Sequence, residues 1–441
     1  MVTTTTTSQS RPAFHFTPRR GWINDPHGIT WLNGAYHVFY QFVPDSTVWA
    51  PNCHWGHAVG HDLFTLVEHR PVLAPDDNDD GVWSGSAIVD RAGTGRIFYT
   101  SVSVPDFAVG VIREATTTDP GWEAWDKGRV IAEAPPGLDL AVFRDPFVFR
   151  SGDRWRMLVG AGFRDGTAAA IGYHSADLAT WHYDGIAAER PVASHDPVWT
   201  GSAWECPQLF EVDGRHVLIT SVWDQDLLHY AAYGIGSLID GAFVAVSWGR
   251  LTYGESYYAP SFFRDRHGRP CLSLWMRGIA DEDAGWASAH SIPHALAIQD
   301  GVLRAIPHAD LEQLRGPRCG TGDPEIAPWA DLVWQPGADP DTLRVHSRHI
   351  DMLGLETRPG ELEVTTRAGV AAMPWSDGEI RIVLDTGIAE ISTRDGMLGL
   401  PIPPTEGPLT IDAADGTLTA YELRPPRSRI DETDRPGGGF A

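Results

Sequence analysis

The stretch NDPHGITWLNGAYHVFY (Asn24–Tyr40) holds two apolar runs separated by Asn33-Gly34. Asn-Gly supplies the positive φ angles of a tight hairpin turn, so the stretch predicts two antiparallel strands. Four later stretches share this pattern: SGSAIVDRAGTGRIFY from Ser84, RDPFVFRSGDRWRML from Arg144, ECPQLFEVDGRHVLI from Glu205 and YAPSFFRDRHGRPCLSL from Tyr258. Aligned on Pro26, Ser86, Pro146, Pro207 and Pro260, the five copies follow at steps of 60, 60, 61 and 53 residues. So regular a period predicts repeated structural units.

The repeat predicts an all-β fold. Each copy has enough residues for the four strands of one β-propeller blade, so five copies predict a five-bladed propeller over residues 12–315. After Cys319 the pattern changes to shorter alternating strands such as ELEVTT (Glu361–Thr366), which indicate a C-terminal β-sandwich. We assign residues 332–441 to that sandwich and the Gly-, Pro- and Asp-rich residues 316–331 to a linker.

The charge balance excludes several classes of partner. The chain of 441 residues has 34 Lys and Arg against 58 Asp and Glu, a formal net charge of -24 at pH 7. Such an acidic surface repels phosphate backbones and anionic lipids, so we expect neither nucleic acid nor membrane as a partner. The four cysteines are scattered, and the first residues lack the basic and apolar pattern of a signal peptide. We therefore expect a cytoplasmic protein with reduced thiols.

Polar residues open the repeats and are the candidates for a functional site. Four openings carry them: Asn24 and Asp25, then Ser84, then Arg144 and Asp145, then Glu205. Taken alone, an Asp-Pro or Asn-Asp pair is usually a turn. In a propeller, however, the first strand of every blade lines the central channel, so these residues should converge at one mouth. Three carboxylates confined together are costly as mere packing, which indicates a catalytic site.

Several segments resemble the glycoside hydrolases of family 32, the group of invertases, inulinases and levanases. They are WINDPHG, FYQF, HWGHAV, WSGSA, FRDPFV, WECPQLF, YGESYYAP and GWASAHSIP. The resemblance covers most of the chain, and its ordered trio NDP, RDP and EC is specific. It implies a five-bladed propeller joined to a β-sandwich, with the activity of a retaining β-fructofuranosidase. It further implies that Asp25 is the nucleophile, Glu205 the acid/base and Asp145 a stabiliser of the transition state.

The resemblance also implies a sugar pocket. By matching motif position its members are Asn24, Gln41, Trp49, Trp83, Ser84, Arg144, Tyr257 and Trp275. The residues themselves suggest how the carboxyl groups differ. Glu205 lies between the apolar Trp204 and Cys206, which would keep it protonated as the acid. Asp145 follows Arg144, whose cation would keep Asp145 ionised.

Two departures from the family bear on the substrate. Family members often have Asn where this chain has His27, which we expect to change little. Where they have Asp-Tyr-Gly, this chain has Thr252-Tyr253-Gly254, which weakens a sucrose-specific interpretation and favours fructan. Glu255 is an alternative acid for that role, so the preference among sucrose, inulin-type and levan-type substrates stays open.

No metal ion or other cofactor is predicted. His54 and His57 lie three apart on a predicted strand and should point to opposite faces. The acidic run from Asp76 to Asp80 lacks the spaced ligands of a calcium loop. The sequence also has no phosphate-binding GxxxxGK[ST] and no GxSxG nucleophile elbow.

We therefore expect an exo-acting enzyme that hydrolyses terminal, non-reducing β-D-fructosyl residues of sucrose or short fructo-oligosaccharides through a covalent fructosyl-enzyme intermediate. Two alternatives are a fructosyltransferase with the same intermediate and a non-catalytic fructan-binding protein. A third is a related five-bladed enzyme that acts on arabinose or xylose polymers. The partner is a small sugar, and the oligomeric state stays open, with a homodimer as one alternative.

Overall fold

The computed structural model describes residues 11–319, 325–337, 340–348, 350–405 and 407–425. Blade I contains β1 (Gly21–Leu32), β2 (Ala35–Val43), β3 (His54–Gly60) and β4 (Val67–Glu68). Blade II contains β5 (Gly81–Val89), β6 (Gly95–Ser103), β7 (Asp106–Thr117) and β8 (Asp126–Ala132). Blade III contains β9 (Leu140–Ser151), β10 (Arg154–Phe163), β11 (Thr167–Ser175) and β12 (His182–Pro191). Blade IV contains β13 (Ala203–Val212), β14 (Arg215–Asp224), β15 (Leu227–Ile239) and β16 (Ala242–Arg250). In each blade every strand pairs with the next along the chain.

The fifth blade closes the ring. After the short β17 (Thr252–Tyr253), blade V is built from β18 (Tyr257–Arg264), β19 (Pro270–Asp281), β20 (Trp286–His290), β21 (His294–Gln299) and β22 (Val302–Pro307). β20 pairs with β19 and, in parallel, with β1 of blade I. The inner strands β1, β5, β9, β13 and β18 lie side by side in that order, and β18 lies beside β1. This closed ring confirms the predicted five-bladed propeller.

The first repeat folds as its turn residues require. Asn33 and Gly34 both have positive φ, 51° and 86°, and Leu32 pairs with Ala35 across them. The predicted hairpin is therefore confirmed.

A second domain follows a single helical turn, α1 (Asp310–Gln313). Its strands are β23 (Arg315–Cys319), β24 (Ala330–Gln335), β25 (Thr342–Ser347), β26 (Ile350–Arg358), β27 (Gly360–Thr366), β28 (Gly369–Trp375), β29 (Ile380–Asp385), β30 (Ile388–Ser392), β31 (Met397–Pro401), β32 (Thr410–Ala413) and β33 (Thr417–Leu423). They form a seven-stranded sheet, β17-β31-β30-β29-β24-β33-β23, and a five-stranded sheet, β28-β27-β26-β25-β32. Leu332, Trp334, Leu355 and Ile382 are buried in the core that the two sheets share, as the predicted β-sandwich requires. Within the described residues, no helix is long and apolar enough to cross a membrane.

The junction between the domains differs from the prediction. The predicted linker, residues 316–331, contains most of β23, which pairs with β33, and the beginning of β24. Pro317 suggested a loop, but β23 is an edge strand, where proline is tolerated because one side of the strand donates no ladder hydrogen bonds. Residues 320–324 of the predicted linker and residues 426–441 of the predicted sandwich lie outside the described residues.

The propeller and the sandwich share a sheet. β17, which connects blades IV and V, pairs in parallel with β31, with Thr252 opposite Met397. Met397 and Ile388 of the sandwich are buried in one apolar cluster with Tyr257 and Met276 of blade V. The sandwich is thus attached beside β18, an inner strand of the propeller.

Candidate active site

Each inner strand carries a β-bulge close to the start of its repeat. The register shifts around Asn24-Asp25 in β1, Ser84 in β5, Asp145-Pro146 in β9, Cys206-Pro207 in β13 and Ala259-Pro260 in β18. Proline fits such positions because it has no N–H to give to the ladder. Bulges redirect side chains and often border active sites. Here they bring polar groups from different blades together at one place in the channel, where Ser84 and Cys206 both contact Asp25.

The predicted aspartates meet at Cys206. Its Sγ lies 3.6 Å from Oδ2 of Asp25 and 3.7 Å from Oδ2 of Asp145. Its backbone N–H donates to the same oxygen of Asp145 over 3.0 Å. Burial raises the pKa of the Cys206 thiol well above its usual value, so the thiol stays neutral between the two carboxyl groups. The charge of Glu205 acts on both aspartates, so the three predicted carboxyl groups lie in one site.

Asp25 accepts hydrogen bonds from predicted pocket residues. Ser84 Oγ donates to Oδ2 over 2.7 Å, and Asn24 Nδ2 donates to Oδ1 over 3.0 Å. Gln41 Nε2 donates to Ser84 Oγ and lies 3.5 Å from Oδ2 of Asp25. Burial raises the pKa of Asp25, the hydrogen bond from Ser84 opposes this, and the charge of Glu205 raises the pKa further. The pKa of Asp25 is thus raised overall, and the surrounding donors limit that rise by favouring the ionised form that a nucleophile needs.

Asp145 has a different environment. It is 4% exposed, has a positive φ of 65°, and donates its backbone N–H to Thr100 Oγ1 over 2.7 Å. Burial and then the charge of Glu205 raise the pKa of Asp145 to about 7. Arg144 lowers this pKa only in part, because its guanidinium pairs with Glu205 instead. The expectation that Arg144 keeps Asp145 ionised is therefore wrong.

Glu205 is held between Arg144 and Tyr258. Arg144 Nε and Nη2 lie 3.0 Å and 2.9 Å from Oε1, and the Tyr258 hydroxyl donates to Oε2 over 2.5 Å. Burial raises the pKa of Tyr258 well above its usual value, so this hydroxyl keeps its proton and remains a donor. The Glu205 side chain is 16% exposed, so it remains open to a bound molecule.

The flanking residues of Glu205 do not form its surroundings, contrary to the sequence argument. Trp204 is fully buried and packs against Trp248 of the same blade, with ring centroids 5.6 Å apart. Cys206 faces the two aspartates. Successive residues of a strand point to different sides, so sequence neighbours are poor guides to the environment of a side chain.

The predicted tryptophans lie around the carboxyl groups. Trp83 is buried beneath Arg144, whose guanidinium carbon is 5.8 Å from the ring centroid. Trp49 is 44% exposed and meets Trp83 edge to face, with ring centroids 5.7 Å apart. Trp275 is buried next to Tyr258, with ring centroids 6.3 Å apart. The structure thus places Trp49 at the outer rim and the other two close to Glu205.

Tyr257 does not lie in the pocket. It is 1% exposed, and its hydroxyl donates to Oε2 of Glu390 in the sandwich. The predicted role of Tyr257 in the sugar pocket is therefore wrong, and the next residue, Tyr258, contacts Glu205. The physical reason is the alternation of side chains along β18, by which a shift of one residue exchanges the two faces of the strand.

Cys206 and Tyr258 are site residues that the sequence analysis missed, although the repeat contains a signal for one of them. Tyr258 stands two residues before the aligned Pro260, as Glu205 stands two before Pro207. Applying the blade-opening rule to the fifth repeat would have selected Tyr258. Nothing comparable singles out Cys206, whose position depends on the bulge and on its positive φ of 48°.

The departure at Thr252 does not face the pocket. Thr252 is 1% exposed, and its Oγ1 accepts the N–H of Ala231 over 2.9 Å. Glu255 is exposed, and its charge acts on Arg277, which lies over the ring of Tyr258 at 5.2 Å. The geometry of Thr252 therefore does not support the argument about substrate preference. Glu255, in contrast, is linked to the site through Arg277 and Tyr258.

His27, the other departure, is buried below the carboxyl groups. It packs on Trp55 with ring centroids 3.9 Å apart and lines a small cavity together with Asp145, Cys206 and Ser84. Burial lowers the pKa of His27 well below its usual value, so its imidazole is neutral.

One group of potential metal ligands occurs in the described part of the chain. Asp265, Cys271 and His308 have ligand atoms within 4.8 Å of one another. Arg269 Nε donates to Oδ2 of Asp265 over 2.5 Å, and backbone N–H groups of His267 and Arg269 donate to Oδ1. A cation would have to displace the guanidinium, so this group is better explained as an ion pair that stabilises the β18–β19 turn.

Glycoside hydrolases act with two carboxyl groups in one site, and Asp25 and Glu205 are such a pair. Residues 15–307 match the glycosyl hydrolases family 32 N-terminal domain. The chain therefore belongs to glycoside hydrolase family 32.

Related sequences and structures extend this comparison. A sucrose-6-phosphate hydrolase of Escherichia coli is 32% identical over 324 residues, which cover 69% of this chain and 66% of the relative. A beta-fructofuranosidase, insoluble isoenzyme 1, of Oryza sativa subsp. indica is 31% identical over 393 residues, which cover 80% of this chain and 63% of the relative. The chain thus spans slightly less than two thirds of the length of these curated relatives.

Solved structures share the fold. A family 32 beta-fructofuranosidase of Bombyx mori has a TM-score of 0.82 at 24% identity, with 95% of this chain and 94% of that chain covered. Fructan 1-exohydrolase IIa of Cichorium intybus has a TM-score of 0.76 at 22% identity, with 94% and 97% covered. The likeness extends over both domains of the present chain.

Proposed function

We propose that the protein is a retaining, exo-acting β-fructofuranosidase that hydrolyses terminal, non-reducing β-D-fructosyl residues of sucrose or short fructo-oligosaccharides. The observation that carries the proposal is the contrast between two carboxyl groups of one site. Asp25 is surrounded by hydrogen-bond donors, and Glu205 lies between Arg144 and the Tyr258 hydroxyl. Retaining glycosidases use two carboxyl groups in one site, one as the nucleophile and the other as the acid/base.

The first step forms a bond between a carboxylate oxygen of Asp25 and the anomeric carbon of the fructosyl unit. The bond from that carbon to the leaving oxygen breaks, and Glu205 transfers its proton to that oxygen. In the second step Glu205 takes a proton from water, the water oxygen attacks the anomeric carbon, and Asp25 is released. Oδ1 of Asp25 is the better attacking atom, because among the described residues its hydrogen-bond donor is Asn24, whereas Ser84, Gln41 and Cys206 all lie against Oδ2.

Asp145 is assigned to the sugar hydroxyls in the transition state. Like Asp25 it contacts the thiol of Cys206, and it is almost fully buried, so a bound sugar would complete its desolvation. A carboxyl group whose pKa is about 7 can accept or donate a hydrogen bond near neutral pH. Exo action is supported by the depth of the site, where Asn24, Gln41 and Ser84 are all at most 5% exposed. Only the end of a sugar chain can reach groups buried so deeply.

The relatives support a fructoside as the substrate. Their names include a sucrose-6-phosphate hydrolase and a beta-fructofuranosidase. A mutant of the Bombyx mori protein was solved in complex with sucrose, and a variant of the Cichorium intybus fructan 1-exohydrolase was solved in complex with 1-kestose. We therefore assign sucrose and the shortest inulin-type oligosaccharide as the first substrates to compare.

The test is release of free fructose from sucrose and from 1-kestose, with Asp25→Asn as the inactive control. Proton NMR of the first product then reports the configuration at the anomeric carbon, which should be retained. Initial formation of the inverted anomer would refute the assignment of Asp25 as nucleophile. Longer oligosaccharides at high sucrose concentration would identify a fructosyltransferase, and tight sugar binding without turnover would identify a binding protein.

We also propose a cytoplasmic location. Its support is the four free cysteines, Cys53, Cys206, Cys271 and Cys319, which suit a reducing compartment. Activity in the extracellular fraction of the source cells, with none in the cytosolic fraction, would overturn this placement.

A further inference from the structure

A fully buried cluster of charged groups joins the sandwich to the propeller. We call His15, Tyr257, Asp385 and Glu390 the interdomain cluster. His15 Nδ1 lies 2.8 Å from Oδ2 of Asp385, and His15 Nε2 lies 2.6 Å from Oε1 of Glu390. The Tyr257 hydroxyl donates to the other oxygen of Glu390, Oε2. The side chains of His15, Asp385 and Glu390 are all 0% exposed.

The carboxylate of Glu390 is fully occupied. The backbone N–H of Ile292 also donates to Oε1 over 2.8 Å, so both oxygens have partners from the propeller side. Burial raises the pKa of Glu390, but the hydrogen bond from His15 and the nearby His294, together with the hydrogen bond from Tyr257, outweigh this and lower it. Removing one partner of a buried charge is costly, so the geometry of this cluster is strongly enforced.

The interdomain cluster lies directly behind the site. Tyr257 and Tyr258 are consecutive in β18, and their hydroxyls donate to carboxylates of different domains, Glu390 and Glu205. The chain before β18 is also held by the sandwich, because β17 pairs with β31 and Met397 N–H donates to the Leu251 carbonyl over 3.0 Å. The strand that presents Tyr258 is thus fixed to the sandwich on both sides of residues 254–256.

We propose that Glu390 and Tyr257 are positioning residues for catalysis, through which the sandwich holds β18 so that the Tyr258 hydroxyl stays on Glu205. This inference rests on the proposed function, in which Glu205 protonates the leaving oxygen. Glu390 and Tyr257 touch no substrate and act through the backbone of β18. The sandwich therefore contributes indirectly to proton transfer by Glu205, because it fixes the position of Tyr258.

A positioning role and a merely structural role predict different kinetics. Proton delivery matters greatly for sucrose, whose leaving group is a poor one, and little for p-nitrophenyl β-D-fructofuranoside, whose leaving group departs without a proton. Misplacement of Glu205 should therefore lower kcat/KM for sucrose and spare the aryl substrate. Partial unfolding would lower both rates by the same factor.

The experiment compares Tyr257→Phe with wild type on the two substrates. We expect a loss of about 5- to 20-fold in kcat/KM for sucrose and less than about 2-fold for the aryl fructoside, since small displacements of catalytic groups are costly. Tyr258→Phe, which removes the hydroxyl at Glu205 itself, should show the same selectivity with a loss of about 10- to 100-fold for sucrose. Glu390→Gln is the second variant and should follow Tyr257→Phe.

Tyr233→Phe is the matched control. Tyr233 is buried in the same apolar cluster, and its hydroxyl accepts one hydrogen bond, from the N–H of Leu303 over 3.3 Å. This variant should leave the ratio of the two activities unchanged. Equal losses on both substrates for Tyr257→Phe, or no loss on either, would overturn the inference while leaving the proposed function intact. A wild-type protein that cleaves neither substrate would instead refute the proposed function itself.

Discussion

The guanidinium of Arg144 lies 2.9 Å from Oε1 of Glu205, across the boundary between blades III and IV. Its Nε lies 3.0 Å from the same oxygen, so two nitrogens of one rigid group contact one carboxylate oxygen. Trp83 and Trp223 flank the guanidinium, each with its ring centroid 5.8 Å from the guanidinium carbon. This packing leaves the guanidinium little freedom, and it fixes the direction in which Glu205 faces the site.

Arg144→Lys should therefore lower activity while keeping the charge. Lysine provides a point charge on a flexible stem and cannot reproduce the planar contact. We expect a loss of about 10- to 100-fold in kcat/KM for sucrose, within the range that a misplaced general acid costs. Arg156→Lys is the control, because Arg156 makes its ion pair with Asp184 at the surface, where such pairs matter little. Similar losses in both variants would show that the contact of Arg144 with Glu205 has no special role.

The contact between Arg144 and Glu205 also shows which features of the site can be predicted from the sequence and which cannot. The repeat predicts the number of blades and brings Asp25, Asp145 and Glu205 to one site, because the period and the opening residues are local features. From the sequence, the cation of Arg144 is expected to pair with its neighbour Asp145. In the structure, however, the cation pairs with Glu205, 61 residues away in the chain. Which carboxylate an arginine meets depends on the bulge and on the neighbouring blade, and neither is visible in a single sequence.

The two consecutive tyrosines of β18 likewise show that the sequence does not specify which side chain of a strand faces the site. The motif around Tyr257 points to the pocket, yet the strand face that reaches Glu205 belongs to Tyr258. The partner of Tyr257 is Glu390, 133 residues later and in another domain. Period and composition cannot specify such a pairing, because it arises only when the sandwich packs against blade V.

Asp145→Asn should stabilise the protein at high pH. The folded pKa of Asp145 is about 7, above the ordinary value of about 4, so folding favours the protonated form. The contribution of Asp145 to stability is thus fully present below pH 4 and is lost as the pH rises to 7. At pH 8 we expect the unfolding temperature of the variant to exceed that of wild type by on the order of 5 °C. The difference should shrink as the pH approaches 4.

Asp177→Asn provides a contrast of opposite sign. The N–H groups of Thr180 and Ala179 donate to Asp177 and lower its pKa, so its stabilising effect is present above its unfolded pKa and is lost in acid. Scanning calorimetry of both variants between pH 4 and 8 makes the comparison. An Asp145→Asn variant that is less stable than wild type at pH 8 would contradict the burial cost assigned to Asp145.

Trp49→Ala should weaken substrate binding without destabilising the fold. Trp49 is 44% exposed at the rim, so its removal leaves no cavity in the core. An aromatic ring at a pocket rim offers an apolar face to a sugar, and we expect KM for sucrose to rise about 3- to 10-fold with kcat nearly constant. Tyr183→Ala, with 46% exposure on β12, is the matched control and should leave KM unchanged. A fall in kcat at constant KM would move Trp49 from binding to catalysis.

His15→Asn should weaken the attachment of the two domains in a pH-dependent way. Burial opposes the charge on His15, but the hydrogen bonds that its ring donates to Asp385 and Glu390 prevail and raise the pKa of His15 to about 9. The unfolded value is about 6.5, so the stability that His15 contributes is fully present below pH 6.5 and is lost as the pH rises through 9. Within that window the loss amounts to about 1.4 kcal/mol for each pH unit.

The measurement is the free energy of unfolding of wild type and His15→Asn in urea at pH 6 and at pH 9.5. Wild type should be considerably more stable than His15→Asn at pH 6. This difference should be mostly gone at pH 9.5, because His15 is then mostly neutral in the folded state as well as in the unfolded state. His346→Asn serves as the control, since His346 pairs with Asp351 in a solvent-exposed hairpin of the sandwich and should cost little at either pH. An equal destabilisation by His15→Asn at both pH values would mean that His15 acts through packing and not through its charge.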